Sequence, residues 1–154
     1  MKKILSILAI ASASLAACQN NSGRKTANGN DSTSTNGKSS SKECYQYVLN
    51  RDTAYLSLDL EDEQVTGSLE YKLFEKDNNN GVIAGIVKGD TIIADYTFQS
   101  EGKTSTRQVA LLKQGNQMIE GFGDIEEVEG KTIFKNTSKL TFDKSMVFKK
   151  TECK

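Results

Sequence analysis

Apolar and polar residues alternate with a period of two through most of the chain that follows residue 44. This period is typical of β-strands with one buried face, and no window shows the 3.6-residue apolar stripe of an amphipathic helix. The clearest runs place on one face Leu56, Leu58 and Leu60, then Val65, Gly67, Leu69, Tyr71 and Leu73, and then Ile92, Ala94, Tyr96 and Phe98. The pattern predicts an all-β domain.

Two turn signals predict the pairing of neighbouring strands. Gly89-Asp90 and Gly115-Asn116 are typical of two-residue hairpin loops. The first loop pairs Val87 with Ile92, Gly85 with Ala94, Ile83 with Tyr96 and Gly81 with Phe98. The second pairs Leu112 with Ile119, Val109 with Phe122 and Arg107 with Asp124.

The number of strands and the shortness of the loops predict a closed sheet. We count eight or nine strands between Tyr45 and Phe148, and expect a single antiparallel meander β-barrel of about eight strands. Closure removes exposed strand edges, and glycines on one strand allow the bending that closure needs. Tyr96 and Phe98 then face the interior, which is either filled by side chains or hollow enough for one small ligand. Both are candidate ligand-binding residues.

The N-terminal segment has the layout of a secretory signal. Lys2 and Lys3 precede an apolar run at 4–10 that is too short to span a bilayer as a helix. The run leads to Leu-Ala-Ala-Cys at 15–18, which resembles the lipobox of bacterial lipoproteins. The resemblance implies cleavage after residue 17 and lipidation of Cys18. The protein is then anchored in the cell envelope, expected on the outer membrane with the domain on its periplasmic or surface face. An ordinary secretory peptide with a chance cysteine is the alternative.

The composition of residues 18–43 predicts a flexible tether between the lipid and the folded domain. We expect the domain at 44–154. The segment is rich in Ser, Thr, Asn and Gly, and such a composition cannot bury enough surface to offset the entropy of ordering it. Asp31-Ser32-Thr33 resembles the acceptor motif of a bacterial O-glycosylation system. The tether provides reach above the membrane and no chemistry of its own.

The remaining two cysteines predict a disulfide. Cys44 and Cys153 lie at the two ends of the predicted domain, in an oxidising exported compartment. A bond between them staples the first strand to the last and stabilises by about 4–5 kcal/mol in the chain-entropy model. Two free thiols, or a redox pair, are the alternative.

Composition and charge exclude several function classes. The chain has no His, which removes a Ser-His-Asp triad and the commonest metal ligand. From residue 44 onward there are fourteen basic and eighteen acidic residues, a net charge of −4, so nucleic acid is not an expected partner. We find no nucleophile motif, and expect no catalytic residues, cofactor or metal. The lipid is the only expected membrane contact.

One block of the sequence carries a wider resemblance. It runs from Asp90 to Asp124 and, with the preceding glycine, contains Gly-Asp-Thr-Ile-Ile-Ala-Asp-Tyr-Thr-Phe, then Ser-Glu-Gly at 100–102, Arg107 and Glu-Gly-Phe-Gly at 120–123. The block looks like that of small uncharacterised bacterial lipoproteins. Its strand pattern is similar to calycin-type barrels such as lipocalins and avidin-like proteins. The resemblance implies a fold and brings no catalytic motif.

Polar residues that could form a site gather near the turn at 100–107. They are Ser100, Glu101, Ser105, Arg107, Glu120 and Asp124. One interpretation is a small anionic or polar ligand held by Arg107, with Glu120 and the hydroxyls completing the site. The favoured interpretation is structural, an Arg107–Asp124 pair at the rim of the barrel.

Two further patterns of carboxylates suggest a function, but in each the structural interpretation is favoured. Asp95 and Glu120 resemble the paired acids of a glycoside hydrolase, but Asp95 is expected to point to solvent. The run at 77–81, Asp-Asn-Asn-Asn-Gly, resembles part of a calcium-binding loop. It lacks the remaining ligand positions, so a plain hairpin loop is the favoured interpretation.

Two hypotheses for function follow. The first is a non-enzymatic binding module whose barrel takes a small apolar or amphipathic ligand. The alternative is a protein-interaction module, such as an inhibitor of a cationic, lysozyme-like hydrolase or an envelope-assembly partner. The alternative depends on whether the acidic runs at 61–63 and 126–129 share one end of the barrel.

Overall fold

The computed structural model describes residues 39–76 and 78–154, which form ten β-strands and one short 3-10 helix, Thr137–Lys139. The expectations for the signal segment, Cys18 and the tether up to residue 38, and for Asp77, lie outside the described residues. The strands are β1 Ser40–Leu49, β2 Asp52–Glu61, β3 Gln64–Lys72, β4 Asn79–Lys88, β5 Thr91–Ser100, β6 Lys103–Gln114, β7 Gln117–Gly121, β8 Ile125–Val128, β9 Lys131–Phe134 and β10 Val147–Thr151.

Eight of these strands close into an antiparallel barrel, as predicted. Strands β1 to β7 pair in chain order, β7 then pairs with β10, and β10 pairs with β1. Strands β8 and β9 form a hairpin outside this ring, in which β9 runs parallel to the start of β6. Each strand of the ring therefore has a neighbour on both sides. This architecture is consistent with a calycin-like fold.

The predicted register around the Gly89-Asp90 turn is confirmed at all four pairs. At two of them the backbones of β4 and β5 approach too closely for a side chain on β4. A Cβ atom at position 81 would lie 2.8 Å from Cβ of Phe98, and one at position 85 would lie 2.6 Å from Cβ of Ala94. Glycine is therefore required at both positions.

The predicted register around the Gly115-Asn116 turn is confirmed only near the turn. Leu112 pairs with Ile119, but the β6–β7 ladder ends at Ala110 and Gly121. Beyond that point Phe122 bridges to Thr141, while Arg107 pairs with Thr132 of β9. The predicted Val109–Phe122 and Arg107–Asp124 pairs are thus wrong, because the chain leaves the ladder after Gly121 and β9 takes over the edge of β6.

The apolar core fills the middle of the barrel. Tyr45, Leu56, Leu58, Leu69, Tyr96 and Phe148 are among its fully buried side chains. Most of these residues are on the strand faces that the alternation assigned to the interior. The core separates the two ends of the barrel, which differ in how they are filled.

A partly buried ion cluster lies at one end of the barrel, which we call the closed end. It is the end that carries the β2–β3, β4–β5 and β6–β7 turns. Lys113 and Lys150 donate to the Glu43 carboxylate at 2.9–3.0 Å, and the Tyr45 hydroxyl donates to it at 2.6 Å. Burial works to raise the pKa of Glu43, but the hydrogen bonds outweigh it and hold the pKa at about 2. The cluster ties β1 to β6 and β10.

The disulfide between Cys44 and Cys153 is present, with the two Cα atoms 5.2 Å apart across 109 residues of chain. Cys44 lies in β1, and Cys153 lies two residues after the end of β10, which is the partner strand of β1. The bond therefore joins the first strand of the barrel to the last, as the sequence predicted.

Strand β1 begins at Ser40, four residues before the expected start of the domain. The stretch from 40 to 43 contains no apolar residue, which is why its composition resembles that of the tether. Its backbone nevertheless pairs with β2 out to Ser40 and Glu61, and its last side chain, Glu43, belongs to the ion cluster.

Candidate functional site

A cavity of about 440 Å³ lies at the other end of the barrel, which we call the open end. This end carries the β1–β2, β3–β4 and β5–β6 turns. The volume falls in the range typical of small-molecule sites. The residues that line the cavity are Tyr71, Leu73, Lys76, Asn79, Phe98, Ser100, Arg107, Glu120, Phe122 and Met146.

The structure gathers the four predicted ligand-binding residues at this cavity. Phe98, Arg107 and Glu120 line it directly. Tyr96 lies beneath them, fully buried, with its ring stacked on Phe98 at a centroid distance of 4.8 Å and an angle of 15°. Tyr96 and Arg107 are paired residues on β5 and β6, so both point to the interior.

Tyr71 is a residue of the site that the sequence reasoning missed. Its hydroxyl donates a hydrogen bond of 3.0 Å to Oε1 of Glu120, and its ring meets Tyr96 edge to face at 6.0 Å. The alternation in β3 placed Tyr71 on the inner face. Nothing local could reveal its polar partner, which lies 49 residues away.

Glu120 is the buried acid of the site, with 7 % of its surface exposed. Burial raises the pKa of Glu120, while the hydrogen bond from Tyr71 and the charge of Arg107 act against the increase. Its second oxygen, Oε2, has no hydrogen-bond partner among the described residues. Burying a carboxylate oxygen without a hydrogen-bond partner costs free energy. Its presence at a cavity therefore indicates a position where a bound molecule would complete the hydrogen bonding.

Two other buried polar atoms lack a hydrogen-bond partner, like Oε2 of Glu120. The hydroxyl of Tyr96 and Oδ1 of Asn79 are also buried without a partner in the described part of the chain. Burial raises the pKa of Tyr96 to about 12, although the charge of Arg107 opposes the increase. The Tyr96 hydroxyl is therefore protonated at neutral pH and can donate as well as accept.

Arg107 is held by aromatic rings. Its guanidinium carbon lies 5.4 to 5.5 Å from the ring centroids of Tyr71, Tyr96 and Phe98, which is within cation–π range. Among the described residues it forms no ion pair, and the rim pair with Asp124 that we favoured does not exist. The loss of the β6–β7 ladder after Gly121 moves Asp124 away from its predicted position opposite Arg107.

The other polar residues of the 100–107 turn differ in whether they line the cavity or face solvent. Ser100 lines the cavity, whereas Glu101 and Ser105 are exposed. Asp95 faces outward and pairs with Lys131 at 2.7 Å. Because Glu120 faces inward, Asp95 and Glu120 do not face a common substrate, as the glycoside hydrolase hypothesis would require.

The acidic runs lie at opposite ends of the barrel. Glu61-Asp62-Glu63 forms the β2–β3 turn at the closed end. The run at 126–129 ends in the β8–β9 turn, next to the start of β6 and thus toward the open end. They do not form the shared acidic rim on which the inhibitor hypothesis depends.

A larger groove of about 540 Å³ lies on the outside of the barrel and shares Phe122 with the cavity. Its polar lining includes Asp124, Lys135 and Lys139, and none of its atoms is among the buried unpartnered ones found in the described residues. The open-end cavity is the better candidate, since only there does burial coincide with unmet hydrogen bonding.

Two searches over residues 39–76 and 78–154 gave negative results. No group of three or more His, Cys, Asp or Glu side chains there is placed to hold a metal ion. No helix in the same part of the chain has the length and apolar character needed to cross a membrane. Comparison of the chain with family models, curated proteins and solved structures found no match.

Proposed function

We propose that this protein is an exported, lipid-anchored lipoprotein whose calycin-type barrel binds a small amphipathic molecule at its open end without catalysing a reaction. The observation that carries the proposal is the cavity of about 440 Å³ into which a 7 %-exposed glutamate presents an unpartnered oxygen. The volume corresponds to about 15 water-sized groups, which suits a small organic molecule.

The composition of the lining supports an amphipathic ligand. Leu73, Phe98, Phe122 and Met146 supply apolar surface, while Asn79 and three charged side chains supply polar groups on the same cavity. Sites for small molecules combine these features, a mainly apolar wall with a few polar groups that fix orientation. The chain contains no His, which supports binding over acid–base catalysis.

Native mass spectrometry of the protein purified from its own host tests this proposal. We expect a retained small molecule on the wild type and its loss in Met146→Trp, which places a bulky ring at the cavity. Ile125→Trp, on the exposed face of β8, is the matched control and should keep the molecule. A wild type of bare protein mass, or retention in both variants, would contradict binding at this cavity.

The lipid anchor is tested separately. The motif at 15–18 supports lipidation of Cys18 and location in a bacterial outer membrane. Cys18→Ser should move the protein from the membrane fraction to the soluble fraction and abolish the acyl mass. A wild type without acyl mass would contradict the anchor and leave the binding proposal standing.

A further inference from the structure

Arg107 has no ion-pair partner among the described residues. The three aromatic rings around its guanidinium attract a cation through their faces but accept no conventional hydrogen bond. No carboxylate of the described residues lies within 4.0 Å of it. Arg107 is thus held in position while its N–H donors stay available, and such a fork matches a carboxylate in bidentate geometry.

The overall charge of the lining favours an anion. Among the described residues that line the cavity, Lys76 and Arg107 are cationic and Glu120 is acidic. Burial raises the pKa of Glu120. The cavity therefore attracts an anion more than a cation.

The unpartnered atoms specify a second group on the ligand. Oε2 of Glu120 accepts a hydrogen bond when the acid is ionised and donates one when it is protonated. Oδ1 of Asn79 only accepts. A hydroxyl both donates and accepts, so it satisfies Glu120 in either state. An ether accepts a hydrogen bond but does not donate one, and a hydrocarbon does neither, so these groups do not satisfy Glu120 in both states.

We propose that the open-end cavity binds an aryl- or alkyl-substituted hydroxycarboxylate, whose carboxylate pairs with Arg107, whose hydroxyl meets Glu120, and whose apolar part packs on Leu73, Phe122 and Met146. This inference rests on the proposed function and specifies the chemistry of its ligand. The carboxylate provides the missing counter-ion, and the hydroxyl provides the missing hydrogen bond.

Titration calorimetry of the full-length protein with three matched probes tests the assignment. The probes are 3-phenyllactate, 3-phenylpropanoate and 3-phenyl-1-propanol, which share an aromatic ring and a three-carbon chain. We expect affinity to fall in that order, with a carboxylate advantage over the alcohol of about 10- to 100-fold, the range of a charge-assisted hydrogen bond.

Two variants assign the groups. Arg107→Gln should remove the carboxylate advantage. Arg51→Gln is the matched control, because Arg51 is also at the open end and lies over an aromatic ring, that of Phe74, but does not line the cavity. Glu120→Met should remove the preference for 3-phenyllactate over 3-phenylpropanoate and keep the preference for carboxylates.

Three results would overturn the inference. They are equal binding of the alcohol and the carboxylates, an unchanged carboxylate advantage in Arg107→Gln, and no binding of any probe at millimolar concentration. The probe series on the wild type and the Glu120→Met variant decide the matter if Arg107→Gln fails to fold. An uncharged molecule retained in native mass spectrometry would sustain the proposed function and still refute the hydroxycarboxylate.

Discussion

Tyr71 and Glu120 lie 49 residues apart in the sequence and are joined inside the barrel by a hydrogen bond of 3.0 Å from the tyrosine hydroxyl to Oε1. The bond crosses the interior from β3 to β7, two strands that are not neighbours in the sheet. It satisfies one oxygen of a buried acid and leaves the other without a partner at the cavity. The pair therefore links two strands of the cavity wall and places a buried acid in its lining.

Removal of the Tyr71 hydroxyl should destabilise the fold. Tyr71→Phe leaves Oε1 of Glu120 buried without its donor, which costs about 1–3 kcal/mol. Urea denaturation at pH 7 measures the loss. Tyr55→Phe is the control, because the Tyr55 hydroxyl accepts from the backbone of Lys154 at the exposed C-terminus. Its effect should stay within about 0.5 kcal/mol. Equal effects of the two substitutions would refute the structural role of the Tyr71–Glu120 bond.

Stability should depend on pH through Glu120. Its pKa is raised in the folded state, so the folded protein binds a proton more tightly than the unfolded chain does. The contribution of Glu120 is therefore favourable below its ordinary pKa of 4.5 and is lost as the pH rises through the folded pKa. Glu120→Gln does not titrate and should gain stability relative to the wild type as the pH increases from about 4. A difference between the two that does not change with pH would contradict the raised pKa.

Glu43 should show the opposite dependence. Its folded pKa of about 2 lies below the ordinary value of 4.5, so its contribution is present above the ordinary pKa and is lost as the pH falls toward 2. Glu43→Gln should cost about 1.5–3 kcal/mol at pH 7, as expected for charge-assisted hydrogen bonds, and much less near pH 2. Urea denaturation over a pH series measures this.

A matched surface variant controls for general charge effects on Glu43. Glu70 pairs with Lys72 at 2.8 Å, but both side chains are substantially exposed. Glu70→Gln should change stability by less than about 1 kcal/mol at any pH. If Glu43→Gln behaves in the same way, the closed-end cluster contributes no more than a surface pair.

The stacked rings of Tyr96 and Phe98 should differ in their contributions to stability. Tyr96 is fully buried in the core, and Tyr96→Ala should cost about 3–5 kcal/mol. Phe98 is only partly buried and lines the cavity, so Phe98→Ala should cost less, about 1–3 kcal/mol. Chemical denaturation of both variants provides the comparison. A larger loss for Phe98→Ala would mean that the open end is a filled core.

The parts of the fold that follow from local pattern were predictable from the sequence. Alternation identifies the inner face of a strand, and a two-residue turn determines which residues pair, so the interior position of Tyr96 opposite Ile83 could be derived. The same logic placed Cys44 and Cys153 at a common seam. Each of these inferences needs only the residues near one turn or at the ends of the domain.

The parts that depend on contacts across the barrel were not predictable. The rim pair of Arg107 and Asp124 failed because no local signal marks Gly121 as the end of the β6–β7 ladder. The lysine partners of Glu43 lie 70 and 107 residues away, so the sequence pattern assigns the acid to the tether. The four predicted site residues lie at or beneath the open-end cavity and stay a prediction as ligand contacts, whereas the predicted pairing of Arg107 with Asp124 was wrong.

The most direct test of binding at the open end is a crystal structure of the protein purified from its own host without refolding. The account predicts density for an organic molecule in the cavity, with a polar atom about 2.7–3.2 Å from Oε2 of Glu120 and an acidic group at Arg107. A cavity that contains only ordered water, or that side chains fill, would contradict it.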